Sequence, residues 1–142
     1  MATDLIAKAS VDIAATEEAV WRALVDPAAI TEYMFGATVT SEWREGSPIT
    51  WAGEYEGKAY EDKGEITAFE PNKRLAYTHF SPLSGQPDVP ENYHHVTIEL
   101  TAEGVGTRVS LEQDNNADEE ARDHSAKNWE TMLAGLKRYV EG

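Results

Sequence analysis

Between residue 37 and about residue 114 the chain carries turn signals at short intervals, and this spacing limits the folds open to it. Each predicted turn contains glycine, proline or asparagine: Glu45-Gly46-Ser47, Glu56-Gly57-Lys58, Pro71-Asn72, the loop over residues 82–92 and Glu103-Gly104-Val105-Gly106. Hydrophobic and polar residues alternate between the turns, which is typical of half-buried strands. Connections this short join antiparallel neighbours. The pattern predicts a meander of about six strands.

Three further elements are predicted before the meander. Residues 5–13 alternate apolar and polar side chains, which indicates a first strand. Two short helices should follow, because Thr16 and Asp26 are good N-caps and Pro27 suits the first helical position. Gly36 can end the second helix.

A long helix is predicted at the end of the chain, from about residue 117 to residue 140. Asn115 or Asn116 can cap it, and the acidic residues of its first turn suit the positive end of a helix dipole. Its hydrophobic face consists of Ala121, Ser125, Trp129, Met132, Leu133, Leu136 and Val140. At about 1.5 Å per residue, the helix is about 36 Å long and can cross a whole sheet.

Together these elements predict an α+β fold in one domain over residues 1–142. We expect a curved antiparallel sheet of about seven strands around the C-terminal helix. A strongly curved sheet cannot bury its concave face alone and must pack against another element. A helix that touches such a sheet along its rims can leave space beneath it. We therefore expect a cavity between helix and sheet, where a ligand would bind.

The charge balance argues against several partners. Twelve Lys and Arg against 26 Asp and Glu give a net charge of −14, which repels phosphate backbones, so no nucleic-acid partner is expected. No apolar run approaches the roughly 20 residues of a membrane span. The N-terminus lacks the pattern of a secretory signal. The chain has no cysteine, which suits a reducing cytoplasm, and we expect a soluble cytoplasmic protein.

Motifs for cofactors and metals are absent from the sequence. There is no Gly-rich phosphate loop, no serine elbow and no nucleotide fingerprint, so we expect no cofactor and assign no catalytic residue. His94 and His95 are adjacent in a predicted strand and should point to opposite faces, so they cannot hold one metal ion together. With no cysteine and no carboxylates at ligand spacing, we expect no metal site.

Several segments, in their order and spacing, resemble those of a known family. They are Thr16–Leu24 followed by Asp26-Pro27, Gly64–Ile66 leading to Glu70–Tyr77, Gly104–Val109, and Trp129 with Leu133 and Leu136. The chain resembles the activator of heat-shock-protein-90 ATPase homologue family, which belongs to the START-like (SRPBCC, Bet v 1-like) superfamily of helix-grip folds. The likeness extends over essentially the whole chain.

This resemblance implies a helix-grip fold with a cavity for hydrophobic ligands. Some eukaryotic relatives are chaperone co-activators, but they carry an additional N-terminal domain, so we do not carry chaperone stimulation over to this chain. The chain departs from the usual family pattern at two positions. Asn128 stands where glycine commonly precedes the helix tryptophan, and His79 stands where relatives often have an aromatic residue.

The candidate ligand-binding residues are those expected to face the cavity. They are Tyr33, Trp43, Trp51, Tyr77, His79, His94, Gln113, Trp129 and Met132. His79 is two residues from Tyr77 in the same predicted strand, so both side chains should face the cavity. His94 would lie beside His79 if their strands pair. Polar groups of this kind in an apolar pocket are typical of a binding site. The alternative is that these residues only pack or hydrogen-bond within the core.

The leading functional hypothesis is the binding of a lipid-like or aromatic small molecule in the cavity. We expect Tyr33, Met34 and the loop over residues 82–92 at its entrance. The first alternative is an enzyme of the cyclase or hydrolase type that uses a cavity histidine as proton shuttle. The second is a chaperone-associated interaction module acting through its acidic exterior. Contact with a second copy of the chain is left open.

Overall fold

A computed structural model describes residues 5–34, 36–55, 57–82, 85–116 and 118–142. The elements are β1 (Leu5–Ile13), α1 (Glu17–Leu24), α2 (Pro27–Tyr33), β2 (Thr38–Ser41), β3 (Pro48–Tyr55), β4 (Lys58–Glu70), β5 (Arg74–His79), β6 (His94–Glu103), β7 (Gly106–Asn116) and α3 (Glu119–Glu141). This order confirms the predicted one. The predicted turn residue Glu56 lies outside the described residues.

The described strands form one antiparallel sheet of seven, in the order β1-β7-β6-β5-β4-β3-β2. From β2 to β7 each strand pairs with its neighbour in sequence, and β1 pairs with β7. The predicted α+β helix-grip architecture is therefore confirmed. Over the part of the chain that the structure describes, no helix has both the length and the apolar character that a bilayer span requires.

Both short helices begin at the predicted caps. The Ala19 amide donates to Thr16 Oγ1 at 3.2 Å, and the Ala28 amide donates to Asp26 Oδ1 at 3.1 Å. Pro27 occupies the first turn of α2, where its missing N–H is not needed. These caps fix where the chain leaves β1 and re-enters the sheet at β2.

The predicted cap of the long helix was wrong. Asp118 caps α3 by accepting a hydrogen bond from the Ala121 amide at 2.8 Å. Asn116 belongs to β7, and its Nδ2 donates to the Leu5 carbonyl at 2.8 Å. Asn115 donates to carbonyls of the loop before β6. Both amides are used as donors that close the end of β7, so the helix begins later, at a carboxylate acceptor.

Helix α3 covers the concave face of the sheet. Its residues Met132, Leu133 and Leu136 are buried in one hydrophobic cluster that includes side chains from every strand and from α1 and α2. Full burial of a side chain of this size contributes about 1.5–3 kcal/mol relative to exposure. The helix is therefore anchored to the sheet chiefly through the middle of its length.

Strand β4 passes unusually close to β5 at Gly64. A Cβ atom at this position would lie 1.7 Å from the Thr78 carbonyl oxygen, well inside contact distance. A register shift then follows between Ile66 and Ala68, and it brings both Ile66 and Phe69 to the core side. A bulge of this kind bends the strand that carries it. Gly64 and the bulge therefore set how closely the strands approach and how the sheet bends on the side where the cavity lies.

We predict that the Gly64→Ala variant is strongly destabilised. Its Cβ would meet backbone rather than a mobile side chain, so β4 and β5 must separate. We expect the free energy of unfolding to fall by about 3 kcal/mol or more, measured by urea denaturation. The control is Gly104→Asn, because Gly104 has a φ of 60° and open space around it. Asparagine tolerates this conformation, so its loss should stay within about 1 kcal/mol. Equal losses in the two variants would contradict the close approach.

Candidate functional site

A cavity of about 280 Å³ lies between the N-terminal half of α3 and the concave face of the sheet. Its wall is formed by α3, by strands β3, β4, β5 and β7, and by the connection after α2. The lining residues are Met34, Ala37, Trp51, Tyr60, Asp62, Tyr77, His79, Gln113, Ser125, Asn128, Trp129 and Met132. Ligand pockets commonly measure about 300–1,000 Å³, so this cavity is a small one. Asn128 is exposed, which places part of the rim at the solvent boundary.

Farther along α3 the space beneath the helix is almost filled. A void of only about 20 Å³ lies there, and both Tyr33 and Trp43 line it. The Tyr33 hydroxyl donates to the Ala23 carbonyl at 2.9 Å and is therefore used within the core. Trp43 lies beyond the end of β2 with a φ of 57°, which is unusual for a bulky residue. Its amide donates to Ser41 Oγ at 3.0 Å, which helps to hold this loop.

Aromatic rings form one wall of the cavity. The ring of Trp51 lies 5.1 Å from that of Tyr77, at an interplanar angle of 48°. The same indole meets the imidazole of His79 edge-on, at a centroid distance of 5.1 Å. Such tilted and edge-to-face arrangements are favoured by the ring quadrupoles. The wall is therefore a packed surface of defined shape.

Asp62 and His79 form the polar centre of the site. Asp62 is the direct cross-strand neighbour of Trp51, so both side chains lie on the same face of the sheet. His79 Nε2 lies 2.9 Å from Asp62 Oδ2, at which distance the ring N–H donates to the carboxylate. The other oxygen, Oδ1, is buried and has no hydrogen-bond partner among the described residues. The carboxylate thus orients the imidazole and keeps one acceptor position unused.

A second polar contact joins the helix to the sheet. The Trp129 indole Nε1 on α3 donates to Gln113 Oε1 on β7 at 2.5 Å. Gln113 is buried, so this bond satisfies an amide oxygen that would otherwise lie in an apolar environment. The contact fixes the orientation of Trp129 in the wall.

Tyr60 lies on β4 directly opposite Gly53 on β3. A Cβ on Gly53 would come within 2.9 Å of the Tyr60 hydroxyl, so the glycine makes room for this ring. Burial, and secondarily the nearby charge of Asp62, raise the pKa of the Tyr60 phenol above its ordinary value. The phenol is therefore a neutral group beside the carboxylate at physiological pH.

The two adjacent histidines of β6 point to opposite faces, as predicted. His94 is opposite His79 in the strand ladder, with ring centroids 6.2 Å apart. Its Nδ1 donates to the Asp114 carbonyl at 2.9 Å, and it lies outside the cavity wall. His95 is exposed and contacts the Asp114 carboxylate on the outer face. No group of three or more His, Asp or Glu side chains suited to a metal ion occurs within the described ranges.

The structure brings most of the candidate residues together at the cavity: Trp51, Tyr77, His79, Gln113, Trp129 and Met132. Tyr33, Trp43 and His94 lie elsewhere, and among the loop residues that are described none lines the cavity. The sequence reasoning missed Tyr60 and Asp62. The signal that finds them is the apolar Ile66 on β4, because side chains four and six positions earlier in the strand face the same side. Contact of any of these residues with a ligand stays a prediction.

Comparison with known proteins agrees with this architecture. Residues 14–141 match the family model described as Activator of Hsp90 ATPase homolog 1-like protein. The solution structure of ChR145 from Cytophaga hutchinsonii is 57% identical, with a TM-score of 0.87, over 99% of this chain and 97% of that one. No curated protein sequence matches the chain significantly.

Two more distant structures share the fold. The Aha1 dimer from Colwellia psychrerythraea has a TM-score of 0.75 at 19% identity, over 96% of both chains. Ara h 8.0201 has a TM-score of 0.77 at 11% identity, over 97% of this chain and 98% of that one. At these identities the likeness concerns the fold alone.

We predict that Tyr77 makes stability fall at alkaline pH. Burial raises the pKa of its phenol above the ordinary value of 10.0, so the native state keeps a proton that the unfolded chain loses. This contribution is fully present below pH 10.0 and is lost as the pH rises further, by about 1.4 kcal/mol per pH unit. Urea denaturation between pH 9 and pH 11 should show a shallower decline for Tyr77→Phe than for the parent protein.

Tyr139→Phe removes an exposed phenol from α3 and controls for the loss of a tyrosine. A Tyr77→Phe protein with the parental decline would contradict the burial of this hydroxyl.

Proposed function

Since the chain belongs to the Activator of Hsp90 ATPase homolog 1-like family, we propose that it binds a compact apolar or aromatic small molecule between α3 and the sheet. The observation that carries this proposal is the cavity of about 280 Å³. Aromatic and apolar side chains make up much of its wall, with a few polar groups among them. This composition supports the binding of a small molecule.

The dimensions of the cavity favour a ligand of one or two rings over an extended acyl chain. The space beyond the cavity measures only about 20 Å³, so a long acyl chain cannot continue beneath the helix. Tyr33 and Met132 are buried where such a chain would pass. Of the lipid-like and aromatic ligands expected from the sequence, the compact aromatic class fits the space better.

The wall combines rigid and adaptable surfaces. Trp51 and Trp129 offer flat rings with two rotatable bonds each, which bind an aromatic ligand at little cost in side-chain entropy. Met34 and Met132 are unbranched and polarizable, so they adjust to ligands of different outline. Together they support a site that accepts several related ring systems.

We expect Ser125→Leu to block the cavity. Ser125 on α3 lines it, whereas the neighbouring His124 is exposed, so leucine at the two positions makes a matched pair of variants. The added side chain occupies ligand space, and Ser125→Leu should weaken binding of 2-naphthylmethanol by about 10-fold or more. His124→Leu should stay within about 2-fold of the parent.

The measurement is a ¹H–¹⁵N NMR titration that follows the indole N–H signals of Trp51 and Trp129. Failure of the parent protein to bind one- or two-ring probes would contradict the proposed function. So would equal affinity in the Ser125→Leu and His124→Leu proteins.

An acid–base enzyme is the second candidate function, and the contact between Asp62 and His79 favours it. A carboxylate that holds an imidazole at 2.9 Å fixes the ring for proton transfer. His79 would take a proton from water that attacks an ester carbonyl, and would return it to the leaving oxygen as the acyl C–O bond breaks and releases the alcohol. If so, the protein hydrolyses 2-naphthyl acetate, and His79→Gln lowers kcat/KM by about 100-fold while the outward-facing control His95→Gln does not. Hydrolysis no faster than in buffer would exclude this candidate.

Chaperone contact and homodimer formation are the remaining candidates from the sequence. The dimer described for Aha1 from Colwellia psychrerythraea belongs to a protein 19% identical to this chain, and that likeness supports the shared fold only. Sedimentation velocity over a range of concentrations tests the homodimer directly.

A further inference from the structure

The cavity wall has a marked charge asymmetry. Among the described residues that line it, Asp62 is the one carboxylate, and there is no lysine or arginine. His79 is the one lining side chain able to carry positive charge, and it already contacts Asp62. The remaining neighbours are rings, thioethers, hydroxyls and amides. Apart from His79, the described lining residues therefore offer a ligand no positive charge.

The two oxygens of Asp62 differ in their environment. Oδ2 accepts a hydrogen bond from His79 Nε2 at 2.9 Å. Oδ1 is buried, and no described donor reaches it. The side chain as a whole is 16% exposed and lines the cavity, so the carboxylate group borders the space that a ligand would fill. Buried carboxylate oxygens are normally paired, because an unpaired one raises the free energy of the folded state.

We propose that the Asp62 carboxylate accepts a hydrogen bond from a hydroxyl or protonated amine on a one- or two-ring ligand, and that the cavity rejects anionic ligands. This inference rests on the proposed function, because it names the class of molecule that the same cavity takes. A donor placed against this carboxylate adds a second hydrogen-bond partner besides His79 while the rest of the ligand stays among the rings.

An anionic group is disfavoured for two reasons. It would lie beside a carboxylate in a wall that offers no described lysine or arginine to neutralise it. The net charge of −14 adds a long-range repulsion. A protonated amine, in contrast, is attracted by Asp62 and by the faces of nearby rings such as Trp51. Free fatty acids are therefore a poor fit, although their chains are apolar.

Four probes that share one naphthalene skeleton separate these possibilities. They are 2-methylnaphthalene, 2-naphthylmethanol, 2-naphthylmethylamine and 2-naphthoate, and their Kd values are measured by NMR titration of the full chain at pH 7. We expect the alcohol, the amine or both to bind about 10- to 100-fold more tightly than the methyl compound, as a hydrogen bond to a charged group allows. We expect 2-naphthoate to bind more weakly than the methyl compound.

Asp62→Asn removes the negative charge and one acceptor oxygen of the carboxylate, while its amide oxygen can still accept from His79. In this variant the donor-bearing probes should lose their advantage to within about 3-fold, and 2-naphthoate should gain. Glu61→Gln is the matched control, because it removes one carboxylate from the exposed neighbouring position on β4. It should leave the parental ranking of the probes unchanged.

The ranking in the parent protein tests the inference even if Asp62→Asn does not fold. Tighter binding of the amine alone or of the alcohol alone supports the inference and identifies the donor. Equal Kd values for all four probes, or tightest binding of 2-naphthoate, would overturn the role of Asp62 but leave the proposed function standing. Binding of none of the probes would overturn the proposed function and this inference with it.

Discussion

Packing of α3 on the concave face of the sheet is the interaction on which the other features depend. Met132, Leu133 and Leu136 bind the middle of the helix to the cluster formed by all seven described strands. The N-terminal half of α3 carries smaller and more polar residues towards the sheet, including Ser125 and Asn128, and there the helix does not fill the space. The cavity thus lies where α3 carries small or polar side chains such as Ser125 and Asn128.

The carboxylate and the imidazole of the cavity are positioned by the sheet rather than by loops. Trp51 and Asp62 are paired across β3 and β4, and His79 lies on β5 within reach of the carboxylate. Gly64 allows β4 and β5 to approach each other at this point, since any side chain there would meet the Thr78 carbonyl. The same backbone feature that shapes the sheet therefore also brings the carboxylate and the imidazole together. The sheet side of the site is held by cross-strand pairing, and its two methionines come from α3 and from the connection after α2.

Much of the fold could be predicted because its signals are local. Turn residues, alternation and the caps Thr16 and Asp26 each act over a few positions, and all of them agree with one topology. The cap of α3 could not be predicted in this way, because Asn116 donates to a carbonyl of β1 that is distant in sequence. Only part of the site could be predicted. The alternation of side chains along β5 predicted that His79 faces the cavity. Its contact with Asp62 depends on how closely β4 and β5 approach each other, which is a property of the tertiary structure.

Direct contact between a ligand and the underside of α3 is the central claim of this account. The measurement that tests it most directly is isotope-filtered NOE spectroscopy of the protein with 2-naphthylmethanol. The account predicts NOEs from the naphthalene protons to the Met132 methyl group and to the indoles of Trp51 and Trp129, which line the cavity. NOEs confined to outward-facing residues such as Val105, which is 96% exposed, would contradict it.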